Sequence, residues 1–192
     1  VVVRECALEG RPLIVDAGAL RGAREWANDN PLVVATPHVG EAAEILTQFG
    51  EEWSRAEVEK DIEGAAVRLA HLARCVVVVK GATTCVATPA GTSLCFQAPT
   101  AWGATAGAGD VLAGMICAAV AQVQALALQE GSSLSIDDLA GPVACAVGLH
   151  GFAAASAAGI LDTTLEPTGS QGHPIVATDF IKEVPNAFEQ IV

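Results

Sequence analysis

Polar side chains that could bind or transform an anionic ligand follow short apolar runs of the chain. Asp16, His38 and Lys80 each come shortly after such a run. Asp110 follows a glycine-rich loop. In an open α/β sheet, ligands bind beyond the carboxyl ends of the strands. We therefore expect these four groups to surround one ligand site.

The loop at residues 103–109 is rich in glycine and opens a long apolar segment. Its small residues let backbone amides approach an anion, and the N-terminus of the following helix adds a partial positive charge. Asp110 has two interpretations here. As an N-cap it stabilises the helix by about 1 kcal/mol. As a general base it accepts a proton from a hydroxyl that attacks a phosphoryl group. The spacing alone favours the cap.

A second candidate segment, Lys80-Gly81-Ala82-Thr83-Thr84, follows an apolar run rich in valine. A lysine at the tip of a buried strand, with a flexible glycine and two hydroxyls, suits a contact with nucleotide phosphates or adenosine. The alternative is a solvated lysine ahead of a hairpin. The segment is not a Walker loop, because the pattern GxxxxGK[ST] does not occur in the chain.

The four histidines have different surroundings. His38 lies in a tight corner with Glu41 nearby at a helix start, which favours a structural role and leaves ligand contact as the alternative. His71 falls off the apolar stripe of its helix, which predicts a surface position. His150 stands in an alanine-rich helix and is expected to be a packed core histidine rather than a ligand. His173 lies in a loop and suggests no role.

Strands and helices that would position these residues alternate in the first half of the chain. The predicted strands lie at 12–16, 32–36, 75–79, 84–88 and 92–96, and the predicted helices at 20–28, 40–49, 58–72, 110–128 and 135–158. A polar loop is expected at 160–174, and residues 175–178 precede a short helix that Pro185 breaks. This alternation predicts a single α/β domain over residues 1–192, with a mostly parallel sheet flanked by helices on both faces.

The composition limits the classes of partner. The chain has 192 residues, of which 52% are hydrophobic and 17% charged, and its formal net charge is −12. Nucleic acid and anionic membrane are excluded as partners, because both need clustered Lys and Arg. Two long apolar segments, 111–128 and 139–161, approach the length of a membrane span. Buried helices explain them better, because Gln122, Gln124, Pro142 and His150 interrupt them.

The chain begins at Val1 and shows no signal peptide, and we expect a cytoplasmic protein. Its six cysteines form no CxxC motif or other metal-ligand spacing, so reduced thiols are the simpler interpretation. The alternative concerns one pair. Cys85 and Cys95 sit symmetrically about the turn at 89–91, so a hairpin would place them opposite one another and allow a disulfide.

Six segments in chain order form one larger pattern. They are Asp16-Ala17-Gly18-Ala19-Leu20, Thr36-Pro37-His38-Val39-Gly40-Glu41, Val79-Lys80-Gly81-Ala82-Thr83-Thr84, GATAGAGDVLAG at 103–114, His150-Gly151, and residues 177–185. The pattern resembles the ADP/ATP-dependent NAD(P)H-hydrate dehydratases of the ribokinase-like superfamily, whose motifs are DADAL, TPHxGE, LKGxxT, GGTGDVLAG, LHG and ASD...P. TPHxGE together with KGxxT and GDVLAG is much more specific than GxGD alone.

The resemblance implies a ribokinase-like fold and an activity. The family restores NADH or NADPH from their 6-hydroxy hydrates: a phosphoryl group from ADP or ATP activates the C6 hydroxyl, and phosphate is then eliminated. By this resemblance Mg²⁺ would neutralise the phosphates. His38 and Asp110 would contact the hydrate, with Asp110 as the catalytic base. The nucleotide would be held by Lys80, Gly81, Ala82, Thr83, Thr84, Gly107 and Gly109. The choice between ADP and ATP stays open.

Three positions depart from the family pattern. Gly18 replaces the second acid of DADAL, and Ala106 and Ala108 replace a glycine and a threonine of the phosphate loop. These changes suggest weaker nucleotide binding. The family's domain also begins with strands and helices that would precede Pro12, so part of the sheet is expected to be missing and a homo-oligomer is expected. Two other functions stay open: a ribokinase-like small-molecule kinase, and a catalytically inactive nucleotide-binding protein.

Overall fold

A computed structural model describes residues 5, 11–25, 32–160 and 172–189 of the chain. Within these residues, five strands form one sheet in the order β1-β2-β3-β4-β5. The strands are β1 Leu13–Val15, β2 Val33–Ala35, β3 Val76–Val79, β4 Thr83–Ala87 and β5 Ser93–Gln97. Strands β1, β2 and β3 pair in parallel, whereas β4 is antiparallel to both of its neighbours. All but β4 therefore share one direction, which confirms the mostly parallel sheet.

Helices cover both faces of this sheet. They are α1 Val39–Gln48, α2 Arg55–Lys60, α3 Ile62–Ala73, α4 Ala108–Gln129, α5 Ala140–Ala157 and α6 Ala177–Glu189. Side chains alternate between the two faces of a strand. Val77 and Val79 accordingly join the core under α1, α2 and α3, while Val76 and Val78 join the core under α4 and α5. The whole of β3 is buried, as expected of a central strand covered on both faces.

The prediction of a single helix at 58–72 is wrong, because Asp61 interrupts the helix. Ser54 and Glu57 form a capping box that starts α2. Asp61 then leaves the helical conformation, with φ −134° and ψ 71°, and its Oδ1 accepts a hydrogen bond from the Gly64 amide at 2.9 Å. The carboxylate caps a new helix, which offsets the backbone hydrogen bonds lost at the break.

Two other predictions near the chain ends differ from the structure. Residues Ala17–Gly22 form a 3-10 helix rather than an α-helix starting at residue 20, and residues 26–31 lie outside the described part. Pro185 lies inside α6 and does not break it. Proline removes one helical hydrogen bond, and the tertiary packing of Phe180 and Ala187 holds the helix on both sides of that gap. The predicted loop at 160–174 falls mostly outside the described residues.

The hairpin of β4 and β5 brings its two cysteines together. Cys85 is the register partner of Cys95, as predicted, and a disulfide joins them. The interpretation of all cysteines as reduced thiols is therefore wrong for this pair. Cys75, Cys117 and Cys145 are free. Burial raises the pKa of the Cys75 thiol far above its ordinary value, so this group is inert.

Two apolar helices pass a length and composition test for membrane spans: α4 and the segment Asp137–Ala157. Both contribute side chains to the core on one face of the sheet. The apolar window of α4 is only 22% buried, compared with 50% for the other segment. A large apolar surface on α4 therefore stays uncovered in the described chain.

Candidate functional site

The carboxyl ends of three parallel strands meet at one edge of the sheet. Asp16 follows β1, and His38 lies just beyond β2. Lys80 follows β3, and its amide donates a hydrogen bond to the carbonyl of Pro37 at 2.8 Å. His38 and Lys80 are thereby paired in a parallel bridge. Three of the four groups expected around one ligand site thus lie at the same edge of the sheet.

Lys80 is held in place by Asp16. Its ammonium donates a hydrogen bond to Asp16 Oδ1 at 2.7 Å, and the two side chains are only 19% and 18% exposed. Burial acts to raise the pKa of Asp16. The Lys80 hydrogen bond and charge, together with hydrogen bonds from Thr36 and Ala17, outweigh it, so the pKa lies below its ordinary value. The alternative of a solvated lysine is therefore wrong.

The Lys80 ammonium also lies against the start of α4. A Cβ added at Gly109 would come within 3.4 Å of Lys80 Nζ. The amides of Gly109 and Asp110 have no acceptor among the described residues, as expected in the first turn of a helix. Two amide donors without a recorded acceptor and a lysine thus lie close together at the N-terminus of α4. This arrangement suits a phosphate or another anion.

Asp110 is not the N-cap that its spacing favoured. The cap is Gly107 in a left-handed conformation with φ 87°, and α4 begins at Ala108. A Cβ at Gly107 would lie 2.9 Å from the Cβ of Ala177, so both the conformation and the close packing require glycine here. The exposed Asp110 carboxylate is the third residue of α4 and makes no hydrogen bond with another described residue. It is available for proton transfer, as the general-base interpretation needs.

His38 is both a helix cap and a possible ligand contact. Its Nδ1 accepts hydrogen bonds from the amides of Gly40 and Glu41 at 3.0 and 3.1 Å. Glu41 Oε2 in turn accepts a hydrogen bond from the His38 amide at 2.8 Å, which completes a capping box. Because Nδ1 is an acceptor, the proton of the neutral ring is on Nε2. The side chain is 60% exposed, so Nε2–H can donate to a ligand.

These groups border a cavity of about 700 Å³. Its wall includes six of the residues that sequence analysis assigned to the site: His38, Lys80, Gly81, Ala82, Thr84 and Gly109. Three others, Thr83, Gly107 and Asp110, adjoin the wall in the chain but are not part of it. The remaining wall is largely apolar and comes from β5, the loop at 97–105 and α5. A polar end and an apolar end suit a ligand with a phosphate and a ring.

The contribution of α5 to the site was not predictable from the local sequence. His150 lines the cavity, and its Nε2 is 3.0 Å from the carbonyl oxygen of Ala108. His150 is therefore more than a packed core residue, although it is partly buried as that interpretation required. The only feature of the sequence that pointed to a role for His150 in the site was the resemblance of His150-Gly151 to the LHG motif. His71 is exposed, as predicted. His173 Nδ1 contacts the carbonyl of Pro174.

The described residues contain no group of three or more His, Cys, Asp or Glu side chains that could hold a metal ion. Mg²⁺ is commonly bound by one or two carboxylates together with substrate phosphates and water. Asp110, beside the two amide donors, fits that mode. Asp16 is less suited because its carboxylate is engaged by Lys80.

The described chain is an α/β protein in which a lysine and two free amides at a helix N-terminus have a geometry suited to an anion. The NAD(P)H-hydrate dehydratase family model matches residues 1–168, and the chain belongs to this family. It is 37% identical over 114 residues to the bifunctional NAD(P)H-hydrate repair enzyme Nnr of Mycobacterium tuberculosis, over 57% of this chain and 22% of that protein. It is 33% identical over 118 residues to the ADP-dependent (S)-NAD(P)H-hydrate dehydratase of Neisseria meningitidis, over 58% and 38% of the two chains.

A solved structure agrees with the fold over almost the whole chain. It is the ADP/ATP-dependent NAD(P)H-hydrate dehydratase of Bacillus subtilis co-crystallised with ATP and Mg²⁺. The TM-score is 0.70 at 26% identity, over 95% of this chain and 56% of that one. The chain thus spans well under two thirds of the length of each of these relatives.

Proposed function

We propose that the chain carries the nucleotide-dependent dehydration site for 6-hydroxy NADH and NADPH hydrates, which restores NADH and NADPH. The observation that carries the proposal is the convergence of Lys80 Nζ on Gly109 in the first turn of α4. That turn also presents Asp110, and His38 shares the cavity with Lys80. In this proposal Lys80 binds phosphate, Asp110 is the general base, and the imidazole of His38 donates a hydrogen bond.

Lys80 and the amides of Gly109 and Asp110 bind and orient the phosphates of the adenine nucleotide, with Gly81, Ala82, Thr83, Thr84 and Gly107 shaping that subsite. His38 Nε2–H donates to the hydrate and helps to orient it. Asp110 accepts the proton of the C6 hydroxyl as its oxygen attacks the terminal phosphorus. The bond from that phosphorus to the bridging oxygen breaks, so AMP leaves when ADP is the donor and ADP leaves when ATP is the donor.

Elimination completes the reaction. The lone pair of the ring nitrogen expels phosphate from C6, and the departing phosphate accepts the proton from C5, so the C5–C6 double bond of the dihydronicotinamide returns. The apolar wall around Phe96 and Val147 faces the same cavity and excludes water from the ring. Asp110 would help to hold Mg²⁺ together with the phosphates, and the ion would supply neutralisation of phosphate charge.

The direct test follows the near-ultraviolet absorbance of the dihydronicotinamide after the chain is mixed with hydrated NADH, Mg²⁺ and either ADP or ATP. Recovery with one nucleotide identifies the phosphoryl donor. Asp110→Asn is expected to abolish recovery and to leave folding intact, because the side chain is exposed. The matched control is Asp137→Asn, which also removes an exposed carboxylate at a helix start.

Two other outcomes would replace this proposal. A phosphorylated hydrate that accumulates without elimination would indicate a small-molecule kinase. Nucleotide binding by the folded chain with no turnover would indicate a catalytically inactive nucleotide-binding protein, the function that Gly18 and Ala108 suggest. Mass spectrometry of the products and a binding titration with AMP separate the two.

We also propose that the active form is a cytoplasmic homo-oligomer that acts on small molecules only, without nucleic acid or membrane. The large exposed apolar side chains on α4 and α6 support self-association: Leu126, Leu128, Ile181 and Phe188. Light scattering on a size-exclusion column measures the order of assembly.

A further inference from the structure

The glycine-rich loop and the first turn of α4 are braced by residues far along the chain. Phe180 is fully buried in α6, outside the segment that the family model matches. A Cβ at Gly103 would lie 3.7 Å from Phe180 Cζ, and one at Gly107 would meet Ala177. The N-terminal turn of α6 therefore packs directly on both ends of the loop.

His150 lies between this brace and the cavity. Its ring stacks on Phe180, with ring centroids 4.8 Å apart and an angle of 24° between the planes. Its Nε2 is 3.0 Å from the carbonyl oxygen of Ala108, the first residue of α4. A carbonyl only accepts hydrogen bonds, so Nε2 is the donor and carries a proton.

We propose that His150 is a positioning residue for the anion site: seated on Phe180, it fixes the Ala108 peptide and thereby the direction of the Gly109 and Asp110 amides. Those amides are two and three positions past the N-cap and have no other partner among the described residues. A rotation of the first turn would misdirect both donors and displace the Asp110 carboxylate. His150 touches neither the phosphates nor the reacting hydroxyl in this role.

The protonation state of His150 agrees with this role. Burial lowers the pKa of the imidazole and the nearby Lys80 charge acts in the same direction, whereas the Ala108 hydrogen bond opposes them. The net shift is downward, so the ring is neutral at physiological pH. The neutral tautomer with the proton on Nε2 makes the bond to Ala108 and adds no positive charge next to Lys80.

The inference rests on the proposed nucleotide site, and three variants test it. His150→Phe keeps a ring on Phe180 but has no donor, His150→Gln keeps an amide donor, and Phe180→Leu keeps apolar volume but removes the stack. We expect His150→Phe and Phe180→Leu to weaken AMP binding about tenfold, the effect of one lost hydrogen bond. His150→Gln should stay within about threefold of the parent chain.

If His150 had only a structural role, the variants would lose stability, but their AMP affinities would not differ between His150→Phe and His150→Gln. Equal affinities for His150→Phe and the parent, or equal losses for the Phe and Gln variants, would overturn the inference. Amide hydrogen exchange of residues 104–112 provides a readout that needs no ligand, and it should rise in His150→Phe and not in His150→Gln. If the parent chain fails to bind AMP or to restore NADH, the proposed function fails, and the exchange pattern still decides the role of His150.

Discussion

Lys80 Nζ lies 2.7 Å from Asp16 Oδ1, although 64 residues separate the two along the chain. The pair ties the end of β3 to the end of β1 across the intervening β2. A Cβ added at Gly109 would reach to 3.4 Å from the same ammonium. Asp16 therefore holds the Lys80 ammonium on one side, and the proposed anion site at Gly109 lies on the other side of that ammonium.

Asp16→Asn should destabilise the chain by about 1–2 kcal/mol at neutral pH, because a largely buried charged hydrogen bond is lost. The pKa of Asp16 is lower in the folded chain than in the unfolded chain. Its contribution is thus present above the unfolded pKa of about 4 and is lost as the pH falls through the lower folded value. Urea unfolding should show a difference from the parent at neutral pH that shrinks in acid. An undiminished difference in acid would contradict the ion-pair explanation.

Lys80→Gln should weaken AMP binding by at least about tenfold, because a charged donor to phosphate is replaced by a neutral one. Isothermal titration with AMP measures the change. The matched control is Lys60→Gln, which removes an exposed lysine at the end of α2 and should leave the affinity unchanged. An equal loss in both variants would mean that only the net charge of the chain matters, which would count against a site at Lys80.

Gly109→Ala separates binding from stability. Alanine is the better helix former, so the variant should be as stable as the parent or more stable by about 0.5 kcal/mol. Its methyl group would lie 3.4 Å from Lys80 Nζ, in the space assigned to phosphate. AMP affinity should fall by about tenfold or more.

Gly114→Ala in the same helix is the matched control, because a Cβ there meets nothing within 4 Å. It should gain the same stability and keep the affinity for AMP. Thermal unfolding and titration of the two variants together provide the comparison. If both alanines bind AMP as the parent does, the space beside Gly109 does not hold a phosphate.

The sheet and much of its site edge were predictable because the signals are local. Runs of valine mark β2 and β3, and parallel strands place their carboxyl ends at the same edge. The roles of Lys80 and Asp110 could not be settled in this way. Whether Lys80 is solvated depends on Asp16, a residue distant in sequence. Asp110 is a favourable capping residue by type, yet Gly107 takes the cap because only glycine fits against Ala177.

The role of His150 was also beyond the local pattern. Its ring is positioned by Phe180, 30 residues later in the chain, and by a peptide carbonyl 42 residues earlier. Both contacts arise from the packing of α5 against α4 and α6, which hydrophobic periodicity does not specify. The sequence pattern locates a histidine in an apolar helix, and only the tertiary contacts distinguish a packing role from a positioning role.

The Cys85–Cys95 disulfide should contribute measurable stability to the hairpin that borders the cavity. The bond closes a loop with a sequence separation of 10 residues, for which the chain-entropy estimate is about 2–3 kcal/mol. The free energy of unfolding of the oxidised chain, measured in urea, should therefore fall by this amount when a reductant is added. The stability of the double variant Cys85→Ala, Cys95→Ala should be insensitive to reductant.

Thiol titration of the unfolded chain provides an independent check, because two fewer of the six cysteines should react before reduction than after it. Equal thiol counts would show that the pair is reduced in solution and would contradict this prediction.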